Sequence, residues 1–295
     1  MRYLSVAEIA KKWNMSERSV RNYCAKGRVN GAFLTGKTWN LPENAEKPER
    51  INKRKEEPIT LLDILKEQKT SKYSGGIYHK TQIDLTYNSN HIEGSKLSED
   101  QIRLIFETNT VDVGEGIPVD DIIETVNHFR AIDYVIDHAE EPLTEDIIKE
   151  LHRILKQSTK DSTLSWFAVG DYKKRANVVG GRETAKPKDV PARMKALLSD
   201  YESLDAVSIE NVIEFHYNFE RIHPFQDGNG RVGRLIALKE CLRHGIVPFI
   251  IEDSKKMFYY RGLSEWESER GYLTDTCLDD QDTFKKLLSM FDIQP

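Results

Sequence analysis

Apolar residues recur at helical spacing along most of this chain, and the polar residues between them mark where helices start and stop. In "VDDIIETVNHFRAIDYVIDHAEE", Ile122, Ile123, Val126, Phe129, Ile132, Val135 and Ile136 keep to that spacing. "LTEDIIKELHRILKQS" repeats the habit behind Thr144, whose hydroxyl suits a helix N-terminus. Val212, Ile213, Phe215, Phe219 and Ile222 stripe a helix from Ser208 to Ile222, and another runs from Arg231 to His244 before Gly245. "IYHKTQIDLTYNSNHIE" is a further helical stretch, stopped by Gly94. One window breaks the habit. "GDYKKRANVVGGRETAKPKDVP", Gly170 to Pro191, combines Gly-Gly, Val-Val and proline, which predicts a β-hairpin with an exposed tip. The pattern predicts a mainly α fold over residues 59–295, a helical bundle carrying one hairpin.

The first 45 residues follow another plan. "SVAE", Ser5 to Glu8, is a capping box, with Val6, Ile9, Ala10 and Trp13 at helical spacing behind it. "NMS" makes a turn, Ser16 caps a second helix from Glu17 to Lys26, and Gly27 ends it. "GAFLTGKTWNLP", Gly31 to Pro42, holds two short β-like runs around a Gly-Lys turn. The second helix carries Arg18, Arg21, Asn22 and Lys26, side chains suited to phosphates and base edges in a major groove. Residues 1–45 resemble the winged helix-turn-helix of excisionase and MerR-like proteins. The resemblance implies duplex DNA as a partner; docking of another protein is the alternative. Residues 46–58, within the charged stretch Pro42 to Pro58, read as a linker.

Charge sharpens this division. The net charge is −5, yet residues 1–54 hold 12 Lys/Arg against 5 Asp/Glu, so the front is +7 and the remainder −12. Such asymmetry suits a nucleic-acid-facing part joined to an acidic part. With 39% hydrophobic residues over 295 positions, the chain has the composition of an ordinary globular protein of one or two domains. The densest apolar run, "IVPFII" at Ile246 to Ile251, is far too short to span a membrane. The start lacks the apolar core of a signal peptide, so a cytoplasmic protein with no membrane partner is expected. Cys24, Cys241 and Cys277 are too few and scattered for a disulfide framework or a zinc site. Oligomeric state stays open.

The candidate chemistry concentrates in "HPFQDGNGRVGR", His223 to Arg234. Pro224 favours a break between the two helices this stretch joins. Gly228 and Gly230 let backbone amides approach a ligand closely, and the following helix adds its N-terminal dipole, which makes a nest for phosphate. Arg231 and Arg234 supply forked donors for phosphate oxygens, and Asn229 adds a neutral one. Asp227 beside such a site is a natural ligand for Mg²⁺. His223 could take a proton from an attacking hydroxyl. The stretch lacks the Gly-Lys-Ser/Thr ending of a Walker loop. It also follows a helix rather than a strand, against the dinucleotide fingerprint.

These twelve residues match in full the signature of the Fic (Fido) family, His-Pro-Phe-x-Asp/Glu-Gly-Asn-Gly-Arg-x-x-Arg. "ETVNHFRAIDYV", "GDYKKRANVVGG" and "YYRGL" look like family stretches in family order, so the likeness spans roughly residues 60–290. The resemblance implies a helical core with a β-hairpin flap. It implies transfer of AMP from ATP to a hydroxyl of a target protein, with release of pyrophosphate. His223 becomes the general base and Asp227 the holder of Mg²⁺ on the α- and β-phosphates. Gly228, Asn229, Gly230 and Arg231 become the phosphate cradle, and Arg234 the contact to the γ-phosphate. The flap from Glu183 to Pro191 would pair with an extended stretch of target. Gly230, where a phosphorylating relative has lysine, favours adenylylation. Tyr259 or Tyr260 would line the adenine, with core packing as the alternative for each.

"SNHIEG", Ser89 to Gly94, raises a separate point. Glu93 falls at a helix C-terminus, where the dipole disfavours a carboxylate by about 0.3–1 kcal/mol, which calls for a cationic partner. The hexapeptide is similar to the family's inhibitory motif, Ser/Thr-x-x-x-Glu-Gly/Asn. The likeness makes Ser89, Glu93 and Gly94 parts of an inhibitory helix near residues 77–93, with Glu93 paired to Arg234. Two further readings stand beside a self-inhibited transferase. One is a transcriptional regulator whose Fic domain senses nucleotide; the other is an enzyme that mainly removes AMP from its target.

Overall fold

The computed structural model describes residues 2–48, 59–112 and 116–294. The chain divides into two compact units, Met1–Pro58 and Ile59–Pro295. Residues 49–58, most of the expected linker, lie outside the described residues.

The first unit runs β1 (Tyr3–Ser5), α1 (Val6–Trp13), α2 (Glu17–Ala25), β2 (Phe33–Thr35) and β3 (Thr38–Pro42). Ser5 Oγ accepts from the Glu8 amide at 3.4 Å while the Glu8 carboxylate accepts from the Ser5 amide at 2.8 Å, a reciprocal cap for α1. Ser16 Oγ accepts from the Ser19 amide at 3.3 Å and caps α2. Val6, Ile9, Ala10, Trp13, Val20, Cys24, Val29 and Leu41 form the core. The sheet is antiparallel in the order β1-β3-β2, with Leu4 opposite Leu41. Strand β1 carried no sequence signal, because three residues ahead of a capping box are too few to show an alternation. Arg18, Arg21, Asn22 and Lys26 are all exposed, on the side of α2 away from Val20 and Cys24. Arg21 is paired to Glu17 at 2.6 Å.

The second unit contains α3 (Leu61–Ser71), α4 (Ile77–Ile92), α5 (Glu99–Thr108), α6 (Val119–Asp137), α7 (Glu145–Lys156), β4 (Val178–Val179), β5 (Arg182–Glu183), α8 (Val190–Glu202), α9 (Ile209–Ile222), α10 (Asn229–Arg243), α11 (Lys256–Glu265) and α12 (Gly271–Met290). Helix α10 forms the centre. From Asn229 to Leu242 every residue but Gly230 is buried, and the helix packs against α3, α4, α6, α7 and α9. Charged residues survive inside because they are bonded: Lys239 Nζ donates to Glu141 O at 2.5 Å and to Glu240 Oε1 at 3.0 Å. The three cysteines are free and buried.

The hairpin is shorter than its sequence window. Val178 faces Glu183 and Val179 faces Arg182 across Gly180 and Gly181. Beyond it, Pro187–Asp189 form a 3₁₀ turn, and α8 starts at Val190 with Pro191 in its first turn. The expected flap edge over Glu183 to Pro191 is thus corrected. Proline lacks the amide that the first turn of a helix leaves unbonded anyway, so Pro191 suits a helix start better than a strand.

Candidate active site

The loop is built by two helix ends. Helix α9 stops at Ile222, and His223 takes a left-handed backbone conformation, φ 53°, while its amide still bonds Phe219 O at 2.9 Å. Pro224 cannot donate the next helical bond. Phe225 is fully buried and stacks on His152 at 4.0 Å between ring centres, which anchors the loop. Gly228, at φ 77°, turns the chain into α10, so that helix starts at Asn229, earlier than the expected Arg231. The Asn229 side chain, expected to add a neutral donor, is engaged by the loop itself. Its Oδ1 accepts from the Phe225 amide at 2.8 Å and its Nδ2 donates to Phe225 O at 3.0 Å, so both ends of the amide close the loop.

A cavity of about 520 Å³ lies against this loop. His223, Gly230, Arg234, Glu93, Tyr259 and Tyr260 line it, together with hairpin residues such as Val179 and Thr184. Arg234 is buried and held from three directions. Its Nε donates to Ser89 Oγ at 2.9 Å, and its Nη2 donates to Ser89 O at 3.0 Å and to Glu93 Oε1 at 2.7 Å. Glu93 is the C-cap of α4, and Gly94 turns the chain there at φ 98°. The Tyr259 hydroxyl meets His216 Nε2 at 2.9 Å, and the Tyr260 hydroxyl donates to Ile92 O at 3.1 Å. Tyr259 is buried and packs as well as lining the cavity, whereas Tyr260 stays exposed.

Gly228, Asn229, Asp227 and Arg231 are not among the residues lining the cavity. Asp227 and Arg231 instead share a charge network with two polar residues of the helical stretches, Glu124 and Lys156, to which the sequence pattern assigns no role. Lys156 Nζ donates to Asp227 Oδ2 at 2.6 Å and to Glu124. Arg231 donates to Glu124 and stands 3.5 Å from Asp227 Oδ2. Burial opposes ionisation of Asp227, but the Lys156 and Arg231 charges outweigh it and bring its carboxyl down to about 2.

The base candidate has the opposite surroundings. Burial, then the Lys173 ammonium, push the His223 imidazole down to about 4, against Glu93 and Asp227. Lys173 pins the hairpin root by donating to Asn177 Oδ1 at 2.8 Å and to Thr184 Oγ1 at 2.6 Å. Lys173 and Glu220 were missed for the same reason as Lys156: nothing in a local pattern distinguishes a buried charge from a solvated one.

Residues 142–241 match the Fic/DOC family. That stretch of the chain is similar to a Fic domain. It is 28% identical over 184 residues to protein adenylyltransferase Fic of Nematostella vectensis, covering 61% of this chain and 42% of that protein. The corresponding Drosophila willistoni protein is 31% identical, with 60% of this chain and 35% of that protein covered. The chain thus spans well under half the length of these curated relatives. Among solved structures, a Fic domain-containing signaling protein from Bacteroides thetaiotaomicron superposes with a TM-score of 0.57 at 27% identity, covering 78% of this chain and 91% of that one. Fic-1 from C. elegans shares the fold at a TM-score of 0.60 and 20% identity, over 78% of this chain and 72% of that one. These neighbours share the chain's mainly helical fold over the stretches covered. Among the described residues no helix is long and apolar enough to cross a membrane.

Proposed function

We propose that this chain is a self-inhibited protein adenylyltransferase, transferring AMP from ATP to a Ser, Thr or Tyr hydroxyl of a target protein. One observation carries the reading: the Arg234–Glu93 pair lines the same cavity as His223 and Gly230. The first turn of α10 is an anion site by its free amides and dipole. A Cβ on Gly230 would lie 2.2 Å from Glu93 Oε1, so a carboxylate already occupies the space over that turn. Withdrawal of Glu93 would free Arg234 for the γ-phosphate. His223 would then take the target's proton, the hairpin edge would align the target strand, and Tyr259 and Tyr260 would flank the base. The relatives named protein adenylyltransferase Fic support the reaction class.

Asp227 suits Mg²⁺, because its side chain is half exposed and Lys156 and Arg231 hold it ionised. Among the described residues no group of three or more His, Cys, Asp or Glu gathers to hold a metal, so phosphate oxygens and water would complete the ion's shell. Bound there, Mg²⁺ would neutralise phosphate charge.

The test uses ATP labelled on its α-phosphate, with Mg²⁺. Glu93→Gly should incorporate at least about tenfold more label into itself or a partner than the unaltered chain, and His223→Ala in that background should remove about a hundredfold or more. Equal transfer without His223 overturns the assignment of the base. A second reading concerns the first unit. The exposed basic face of α2, behind a capped turn and beside a β-hairpin, supports a winged helix-turn-helix that binds duplex DNA.

A further inference from the structure

Glu220 lies in the last turn of α9, one turn before His223. Its Oε2 stands 4.0 Å from His223 Nδ1, and both side chains are almost closed off from solvent. Glu220 Oε1 and His223 Nδ1 are buried without a hydrogen-bond partner among the described residues, and the Glu220 backbone also favours the charged imidazole. A Cβ on Gly233 would meet Glu220 Oε1 at 2.9 Å and His216 Nδ1 at 3.0 Å, so the carboxyl fills the space that this glycine leaves in the neighbouring helix. Arg234 and Glu93 are the charges facing Glu220, and Lys173, Glu93 and Asp227 face His223. A buried, incompletely bonded acid is expensive to keep, which points to a task for it.

We propose that Glu220 is a positioning residue for His223: its carboxylate backs Nδ1, favours the tautomer that leaves Nε2 open to the cavity, and supports the imidazolium formed as Nε2 takes a proton. The assignment rests on the adenylyltransferase reading. In that reaction the hydroxyl O–H bond breaks and its proton passes to Nε2. The oxygen bonds the α-phosphorus, and the bond from that phosphorus to the departing pyrophosphate breaks. The imidazole gains one positive charge in this step, and Glu220 is the acid one turn away that can face it. Burial, with a contribution from the Glu93 charge, raises the Glu220 carboxyl to about 8, while Arg234 opposes. Withdrawal of Glu93 removes that repulsion and leaves Arg234 facing Glu220. Glu220 then ionises more readily and makes His223 a better base. Glu93 thereby governs the base as well as the phosphate-binding arginine.

The test uses the full chain with Glu93→Gly, alone and combined with Glu220→Gln, a change of similar size and shape. The His223 imidazole is titrated by NMR, its signal identified by loss in His223→Ala. The proposal requires Glu220 to be ionised where His223 titrates once Glu93 is gone, so the imidazole midpoint should fall by about one pH unit or more on Glu220→Gln; a carboxyl still held near 8 would leave it unchanged. With α-labelled ATP, kcat should fall about tenfold to a hundredfold, KM for ATP should change by less than about twofold, and the acid limb of the pH profile should follow the imidazole midpoint downward. An unchanged midpoint overturns the proposal, whether or not transfer is observed. A Glu93→Gly parent that transfers nothing overturns the adenylyltransferase reading instead, and the titration still decides the role of Glu220. Should Glu220→Gln fail to fold, Glu220→Asp replaces it and should lower the midpoint by a smaller amount; no shift there overturns the proposal equally.

Discussion

Lys156, the last residue of α7, places one ammonium between the carboxylates of Glu124 and Asp227. Its side chain is 3% exposed, so its charge is screened little by water. Lys156→Met would leave one guanidinium, that of Arg231, to serve both acids. A loss of about 2–3 kcal/mol in urea-unfolding free energy at pH 7 is expected, less than for a fully orphaned buried charge because Arg231 stays and Asp227 is half exposed. The Asp227 contribution has a definite sign. Its folded carboxyl is depressed to about 2, so the contribution is present above the ordinary carboxylate range near pH 4 and is lost as pH falls toward 2. Unchanged stability in Lys156→Met would show that the network does not order the loop. The residues from His223 to Arg234 were legible because their chemistry is packed into twelve consecutive positions. The partners of Arg231 were not, since Glu124 and Lys156 stand 107 and 75 residues upstream of it, in helices whose pattern reports only which face is apolar.

Helix α2 is the element whose function is most open to direct test. Val20 and Cys24 tie it to the first unit's core, which leaves Arg18, Arg21, Asn22 and Lys26 facing out. If it enters a major groove, affinity for duplex DNA should fall with salt at a log–log slope of about −0.9 per phosphate neutralised. Arg18→Ala with Arg21→Ala should weaken binding and flatten that slope by about two such steps. A shift assay on the DNA upstream of the chain's own gene and on random duplex, across a salt series, checks this; no salt-sensitive binding to either would leave protein docking as the reading. Elements with strong local signals were legible: capped helices, and a hairpin announced by Gly-Gly. Boundaries that depend on distant packing were not. Strand β1 exists because β3 is there to pair with it, and the flap ends early because Pro191 starts α8.

At the scale of the molecule, the second unit stores acid sensitivity in its core. His128, His152 and His216 are buried, and burial holds them uncharged, His152 and His216 down to about 3. Depressed histidines contribute stability that is lost as pH falls below 6.5, because the unfolded chain takes up the protons first. Glu220, raised by burial to about 8, and Asp280, raised by burial to about 6, act in the opposite sense above their ordinary carboxyl values near 4. Unfolding free energy should therefore fall most steeply between about pH 4.5 and 3, with up to about three protons taken up. Urea titrations through that range measure the slope; a flat response would mean that the histidines are already charged in the folded domain. The sequence alone determined the helical class, the hairpin, the capped two-helix front and the loop with its base, glycines and arginines, because period, capping and turn chemistry act over a few residues. The pairing of Glu93 with Arg234 was implied by the likeness of the hexapeptide; tertiary structure alone decided that Ser89 shares that arginine, that Asn229 bonds both backbone groups of Phe225, and that Glu220 stands 4.0 Å from His223. Those contacts join atoms up to 145 positions apart or set a buried rotamer, and only the packing of α10 at the centre brings them within a few ångströms.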